Sequence, residues 1–501
     1  MNRSVMKHQF SEVPTVDIPR SSFNRSHGVK TTFDAGYLVP ILVDEVLPGD
    51  TINCRASGLV RMNTPIYPIM DNIYMDTFFF AVPLRLVWDN FVKMMGEQDN
   101  PSDSTDYVTP KQVSPSLGYQ SQSLQDYMGL PTLQQNMEHS ALFLRAYNLI
   151  WNQWFRDQNL QDSVVVDKDD GPDNVTDYTL LKRGKRHDYF TSCLPWPQKG
   201  TAVDLPIGQT APIFAPTSTD QLKTDSGSAL PRFDNLQGTD EPILADLSNA
   251  TAATINQLRQ AFQVQAMYEK DARAGTRYTE VIHSHFGVTS PDARLQRPEF
   301  LGGGTSYMNV TPVSYTANTG PGDATGDLGA YAMTDFTGHG FNKSFTEHSI
   351  IIGLVNVRAD LTYQQGLNRM WSRDDRLDYY WPSLSVIGEQ AVLNKEIEVA
   401  LTGNDDVFGY QERYAEYRYK PSQITGKFRS NTIAGSLDSW HLSQDFASVP
   451  VLNSSFIEDN PPMDRVVRVI SEPDFWGDFH FNYICARPMP LYGVPATMGR
   501  F

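Results

Sequence analysis

Between Gly409 and Ser430 the sequence reads GYQERYAEYRYKPSQITGKFRS, which interleaves Tyr410, Tyr414, Tyr417, Tyr419 and Phe428 with Arg413, Arg418, Lys420, Lys427 and Arg429. Aromatic faces can stack on bases while neighbouring cations neutralise phosphates, the combination used by single-strand binding surfaces. The same residue types are favoured anchors of protein interfaces. Composition leaves both readings open, together with an internal role for several of the tyrosines. A second basic run, Lys182-Arg183-Gly184-Lys185-Arg186-His187, precedes Tyr189 and Phe190 and suits either a surface turn or a phosphate contact.

Other residues with chemical potential are isolated. Asp167, Asp169, Asp170 and Asp173 approach a calcium-loop pattern, but Gly171 falls too early and Tyr178 stands where the closing glutamate belongs, so the patch reads as a solvated acidic loop. His283 and His285 offer two metal-type ligands without an identifiable third. Gly302, Gly303 and Gly304 lack the flanking strand, helix and lysine of a phosphate cradle and predict a flexible turn. No GxSxG elbow, HExxH motif or Walker loop occurs. Cys54, Cys193 and Cys485 are far apart with no CxxC spacing, which argues against a zinc site or a disulfide framework and predicts buried, reduced thiols in a cytoplasmic setting. No catalytic residue, metal or cofactor is expected.

The elements that must carry these residues are organised around Asp71 to Met95. Ile73 to Val82 is apolar at nearly every position and predicts a strand covered on both faces, ended by Pro83. From Leu84 the period changes: Leu84, Val87, Trp88, Phe91 and Met95 recur at helical spacing. Upstream, the run YLVPILVDEVL is a β segment interrupted by Pro40; a turn at Pro48-Gly49-Asp50 follows, and then Ile52, Cys54 and Ala56 alternate with polar neighbours. Residues 97 to 135 are polar and proline-rich. Helices are predicted over Ala141 to Gln158 and Ala250 to Ala274, the latter stopped by Gly275. Val355, Val357, Ala359 and Leu361 alternate with polar residues, as does Lys395 to Leu401, predicting half-buried antiparallel strands; Asp464 to Ile470 and Phe479 to Ala486 predict two more.

With 34 Gly, 32 Pro and only 20% charged residues, long turns joining short strands fit better than a helical protein. A β sandwich can accumulate insertions without a second core, so residues 1–501 are read as one elaborated domain. The net charge of −17 repels polyanions, and any nucleic-acid contact needs a local basic surface or a separate basic partner. Residues 1–30 offer such a basic stretch: Arg3, Lys7, Arg20, Arg25 and Lys30 stand against Glu12 and Asp17 in an arm without apolar period, expected to order only against something else and read either as a contact for nucleic acid or a neighbouring subunit or as a solvated terminal tail. Gly208 to Pro242, rich in Thr, Ser, Asp, Gly and Pro, predicts an exposed excursion from a compact body. The amino terminus lacks the apolar core of a signal peptide, and no stretch approaches the roughly 18 apolar residues of a membrane span, predicting a chain neither exported by that route nor embedded in a membrane.

Six segments give the chain a resemblance to the major capsid proteins of the Microviridae, in particular the gokushovirus branch: FDAGYLVPILVDEVLPGDT (33–51), RGKRHDYFTSCLPWPQKG (183–200), ATAATINQLRQAFQ (250–263), HFGVTSPDARLQRPEFLGG (285–303), FGYQERYAEYRYKPSQITG (408–426) and CARPMPLYGVP (485–495). They run in the family's order along nearly the whole chain. The resemblance implies an eight-stranded antiparallel jelly roll with long loop and helical insertions, assembled as a T=1 icosahedral shell around circular single-stranded DNA. It implies that residues 209–242 are a variable insertion projecting as a spike near the threefold axes, with Thr217, Asp220, Lys223, Asp225, Arg232 and Asp234 as receptor-facing candidates. It also implies a small basic internal DNA-binding protein, an internal scaffolding protein, a DNA pilot protein and a host-cell surface receptor as partners, with assembly in the host bacterial cytoplasm. The candidates for inward contact with DNA are Arg3, Lys7, Arg20, Arg25 and Lys30, then Arg413, Arg418, Lys420, Lys427 and Arg429. The alternative class is a β-sandwich carbohydrate-binding or glycan-hydrolysing protein, although no carboxylate pair stands out for acid/base work.

Overall fold

A computed structural model describes residues 19–201, 255–274, 278–287, 296–316, 326–432 and 435–492, and the backbone of short strands between 213 and 245. The body is mainly β. Its principal strands are β1 (Ser21–Asn24), β2 (His27–Phe33), β3 (Val39–Val46), β4 (Thr51–Met62), β5 (Ile73–Pro83), β6 (Glu299–Tyr307), β7 (Asn309–Ser314), β8 (Leu328–Ser344), β9 (Ser349–Ala359) and β10 (Phe475–Arg487). They form two antiparallel sheets. In the first, β10 pairs with β1 and β2 on one side and β4 on the other, and β4 leads on to β8 and β7. In the second, the order is β6-β5-β9-β3.

The main core lies between these sheets. Ile52, Cys54 and Ala56 of β4 and Phe475, Phe479 and Phe481 of β10 meet Met75 and Phe79 of β5 and Ile351 and Val355 of β9. The opposite face of the second sheet is covered as well: Phe80, Val82, Ile350, Ile352 and Leu354 pack under helix α1 (Leu142–Ile150) with Val87, Trp88, Tyr147 and Trp151. Burial on both sides is what the unbroken apolar run of β5 demands. Beyond Pro83 the predicted helix forms in two pieces, Leu84–Leu86 and Phe91–Met94. The helix starting at Leu142 continues as a wider turn over Trp151–Phe155, and α2 (Ile255–Ala274) and α3 (Tyr278–Phe286) complete the long helices. Gly275, the predicted stop, lies outside the described residues.

Several expectations are corrected. The described part of the basic arm does not need an outside partner to order: Ser21–Asn24 and His27–Phe33 pair with β10 of the same chain. Gly302, Gly303 and Gly304 are not a turn but the middle of β6, paired with Phe79, Phe78 and Thr77 just past a bulge. Glycine is required by proximity: a Cβ on Gly302 would meet the Gly340 carbonyl, one on Gly303 the Thr77 carbonyl, and one on Gly304 the His339 ring. Lys395 to Leu401 is not a strand; Asn394–Ile397 is a single helical turn, because Glu396 folds inward to accept from the Leu393 N–H at 3.0 Å and the Tyr189 hydroxyl at 2.8 Å. Asp464 to Ile470 is likewise no strand. Pro461 and Pro462 precede a 3₁₀ turn at Met463–Arg465, after which Val467 makes one bridge to Pro65. β9 is not half-buried: its polar positions Asn356 and Arg358 are enclosed like its valines. Pro40 does not break β3, which is the edge of its sheet and passes Pro40 at a bulge opposite Leu354.

Candidate interfaces and the ion pairs beneath them

The basic run Lys182 to His187 is neither a plain surface turn nor an open phosphate site. Alternate residues of β5 and β9 face the helix layer, which brings Asp76, opposite Asn356, to one end of that face with Arg358 one pair further on. Arg183 reaches across to donate to Asp76 at 2.5 Å and Asn356 at 3.4 Å, and its guanidinium lies 5.2 Å from the Phe78 ring centre. Arg358 donates to the same carboxylate at 2.9 Å and Thr305 at 2.6 Å. Burial opposes ionisation of Asp76, yet these donors hold it below the usual carboxylate range. Lys185 is buried, donates to the Phe456 carbonyl at 2.6 Å, and is made easier to deprotonate by that burial. Beside it, burial pushes Asp459 up to about 6 despite Arg183 and Lys185. Only Arg186 and His187 of the run are exposed, at the rim of a cleft floored by Phe78, Phe80, Trp154 and Phe300.

The acidic patch is only partly solvated. Asp169 and Asp170 are exposed, but Asp173 is buried against Arg145, which is fully enclosed on α1, and accepts from the Tyr178 hydroxyl at 2.5 Å. Arg145 also donates to the carbonyls of Val87 at 3.1 Å and Asp169 at 2.9 Å, so this ion pair fastens the 167–173 loop to the helix layer. Sequence spacing gave no signal for the pair, since its members lie in different elements. His285 is hydrogen-bonded to Asp271 across α2 and α3 at 2.6 Å, and no metal-type cluster occurs among the described residues. All 3 cysteines are buried.

The cations proposed for DNA contact are dispersed. Arg3 and Lys7 lie outside the described residues. Arg20 donates to Thr51 and to the Ala486 carbonyl, and Arg25 grips Asp44 through two hydrogen bonds of 2.6 and 2.7 Å. Lys30 stands 3.1 Å from Asp478, both exposed. Arg413 donates to the Leu377 carbonyl at 3.5 Å and Arg429 to the Gln364 carbonyl at 3.0 Å, while Arg418 pairs with Glu412. Lys420 and Lys427 are exposed. Tyr414 is internal, whereas Tyr417 and Tyr419 face outward. In the 209–242 excursion, Lys223 is paired with Arg232 in a hairpin of Gln221–Thr224 with Pro231–Asp234, which ends at Asp234. Thr217, Asp220 and Asp225 lie outside the described residues.

Two stacked antiparallel sheets with a helical layer over one of them define a mainly β protein. The family described as "Capsid protein (F protein)" matches residues 11–497. The chain is 49% identical to capsid protein VP1 of Bdellovibrio phage phiMH2K, over 99% of this chain and 98% of that one. It is 44% identical to capsid protein VP1 of Chlamydia phage 1, over 98% of each, and 38% identical to that of Spiroplasma virus 4, over 97% of each. The chain belongs to this capsid-protein family, the gokushovirus type of Microviridae major capsid protein, and its place is the virion. Among the described residues no helix is long and apolar enough to cross a membrane. Nothing in these likenesses supports the carbohydrate-binding or glycan-hydrolysing alternative.

Proposed function

We propose that this protein self-assembles into a T=1 icosahedral shell enclosing the circular single-stranded DNA of a small bacteriophage, acting by enclosure rather than catalysis. The observation that carries this reading is near full-length likeness to capsid proteins VP1. The strand order supports an eight-stranded jelly roll: β2-β10-β4-β8 faces β3-β9-β5-β6, and consecutive strands alternate between the sheets from β2 to β5 and again from β8 to β10. Residues 1–501 then form one elaborated domain, with 209–242 as the spike insertion that meets a host-cell receptor. Inward DNA contact falls to Arg3 and Lys7 of the arm and to Lys427, since Arg20, Arg25, Lys30, Arg413, Arg418 and Arg429 are engaged by the protein itself and Lys420 adjoins the exposed Tyr417 and Tyr419. With so acidic a chain, a small basic internal protein supplies the remaining neutralisation; scaffolding and pilot proteins complete assembly in the host cytoplasm.

Sedimentation of the protein from infected cells, with and without nuclease, followed by electron microscopy of the fastest fraction, tests the reading. Small icosahedral particles holding nuclease-protected single-stranded DNA are expected. Recovery of all the protein as a 56.4 kDa subunit or small oligomer free of DNA would overturn it.

A further inference from the structure

Residues 369–387 form a loop segment whose rings face outward instead of joining a core. Trp371 is 72% exposed, Leu377 62% and Val386 85%. Tyr417 and Tyr419 extend the same surface, because Tyr380 sits edge-on to Tyr417 with ring centres 6.0 Å apart, and its backbone N–H donates to the Tyr417 hydroxyl at 3.4 Å. Several rings of this surface are held by neighbouring side chains. The Arg373 guanidinium lies 4.3 Å from the Tyr417 ring centre and 3.4 Å from Glu416; Arg376 lies 4.5 Å from the Trp381 ring centre, and the Trp381 indole donates back to the Arg376 carbonyl at 2.9 Å. Fixed aromatic and arginine side chains lose little freedom on binding, which is what interface anchors need.

We propose that this surface, Arg369 to Ile387 with Tyr417 and Tyr419, is an interface between neighbouring copies of the chain; the inference rests on the shell reading and names where one of its contacts lies. Charge selects the occupant. Over 369–387 and 412–420 the sequence places six cations against five anions. Arg373 and Arg418 are paired with Glu416 and Glu412, so the patch is nearly neutral. It offers little to a polyanion or to a strongly basic partner, while mixed, balanced charge around an apolar centre is complementary to a second copy of itself or of an adjoining surface. This resolves the two uses of the Tyr and Arg run at 409–430 for its first half: Tyr417 and Tyr419 serve protein contact, not base stacking.

Hydroxyl-radical footprinting of native particles and of subunits dissociated from them provides the test. Oxidation of Trp371, Tyr379 and Tyr380 is expected to fall by about fivefold or more on assembly, as for anchors at the dry centre of an interface; equal labelling in the two states overturns the proposal. In parallel, Trp371→Asp with Val386→Asp is expected to cut the yield of shells by about tenfold or more, the loss that truncating interface anchors brings. Val108→Asp, at a comparably exposed apolar position outside these segments of the chain, serves as control and should assemble normally. Normal assembly of a folded double variant counts against the interface alone, whereas failure of the unmodified chain to form shells with its phage partners counts against the capsid reading itself.

Discussion

At the scale of single residues, the charges that the sequence presents as candidates for ligands mostly hold the protein together. Arg145 is enclosed with Asp173, and removing one member of such a pair leaves the other charge buried. Arg145→Met should therefore cost about 3–5 kcal/mol in urea unfolding of the subunit, and an unchanged midpoint would refute the role assigned to the pair. Asp474 behaves oppositely. Burial, with Asp34 nearby, raises it from 3.8 to about 6, although the Ala35 N–H donates to it. The folded state thus binds this proton more tightly than the unfolded chain. Its contribution to stability is complete below pH 3.8 and is lost as pH rises through about 6. Asp474→Asn should remove that slope and stabilise the subunit at neutral pH by about 1 kcal/mol after allowance for solvent screening. Parallel stability profiles for the two proteins between acid and neutral pH would contradict it.

At the scale of elements, β6 and β8 approach each other so closely that side chains are excluded. A Cβ on Gly303 would enter the Thr77 carbonyl, and Gly303→Ala should cost about 1–3 kcal/mol by forcing β6 off β5, read as a lower unfolding midpoint. This is where sequence reasoning fails for a physical reason: three glycines in a row signal backbone freedom, but here they mark a lack of space that only β5 and β8 create. The alternation at Ile52, Cys54 and Ala56 is legible because one face of β4 meets the core and the other does not. The same alternation misleads at Asn356 and Arg358, where the polar side is roofed by Arg183 from elsewhere in the chain. Lys395 to Leu401 misleads because its glutamate turns inward to cap a helical turn. The chemistry of the basic run was legible as composition, but its partner Asp76 lies over a hundred residues away and no local pattern joins them.

For the whole molecule, the excess of acid over base means that copies repel one another while their apolar surfaces attract. Assembly of empty shells should strengthen from low to physiological salt, as the Debye length falls from about 30 to about 8 Å, whereas retention of DNA should weaken over the same range. Light scattering of subunits across a salt series checks the first effect, and a decline in scattering with added salt would contradict it. A different consequence follows from the position of β10, which is inserted between β2 and β4, its Phe475 lying beside Phe33 on one side and Met62 on the other. While the chain is being translated, β4 leaves the ribosome long before its neighbour exists. At roughly 5–20 residues per second, the intervening stretch of about 400 residues holds that slot open for roughly 20–80 s. During this time two strand edges are unpaired and open to chaperones, proteases or a wrong strand. A chain terminated ahead of Phe475 can never fill the gap, so the fold itself inspects each copy for completeness before it can enter a shell.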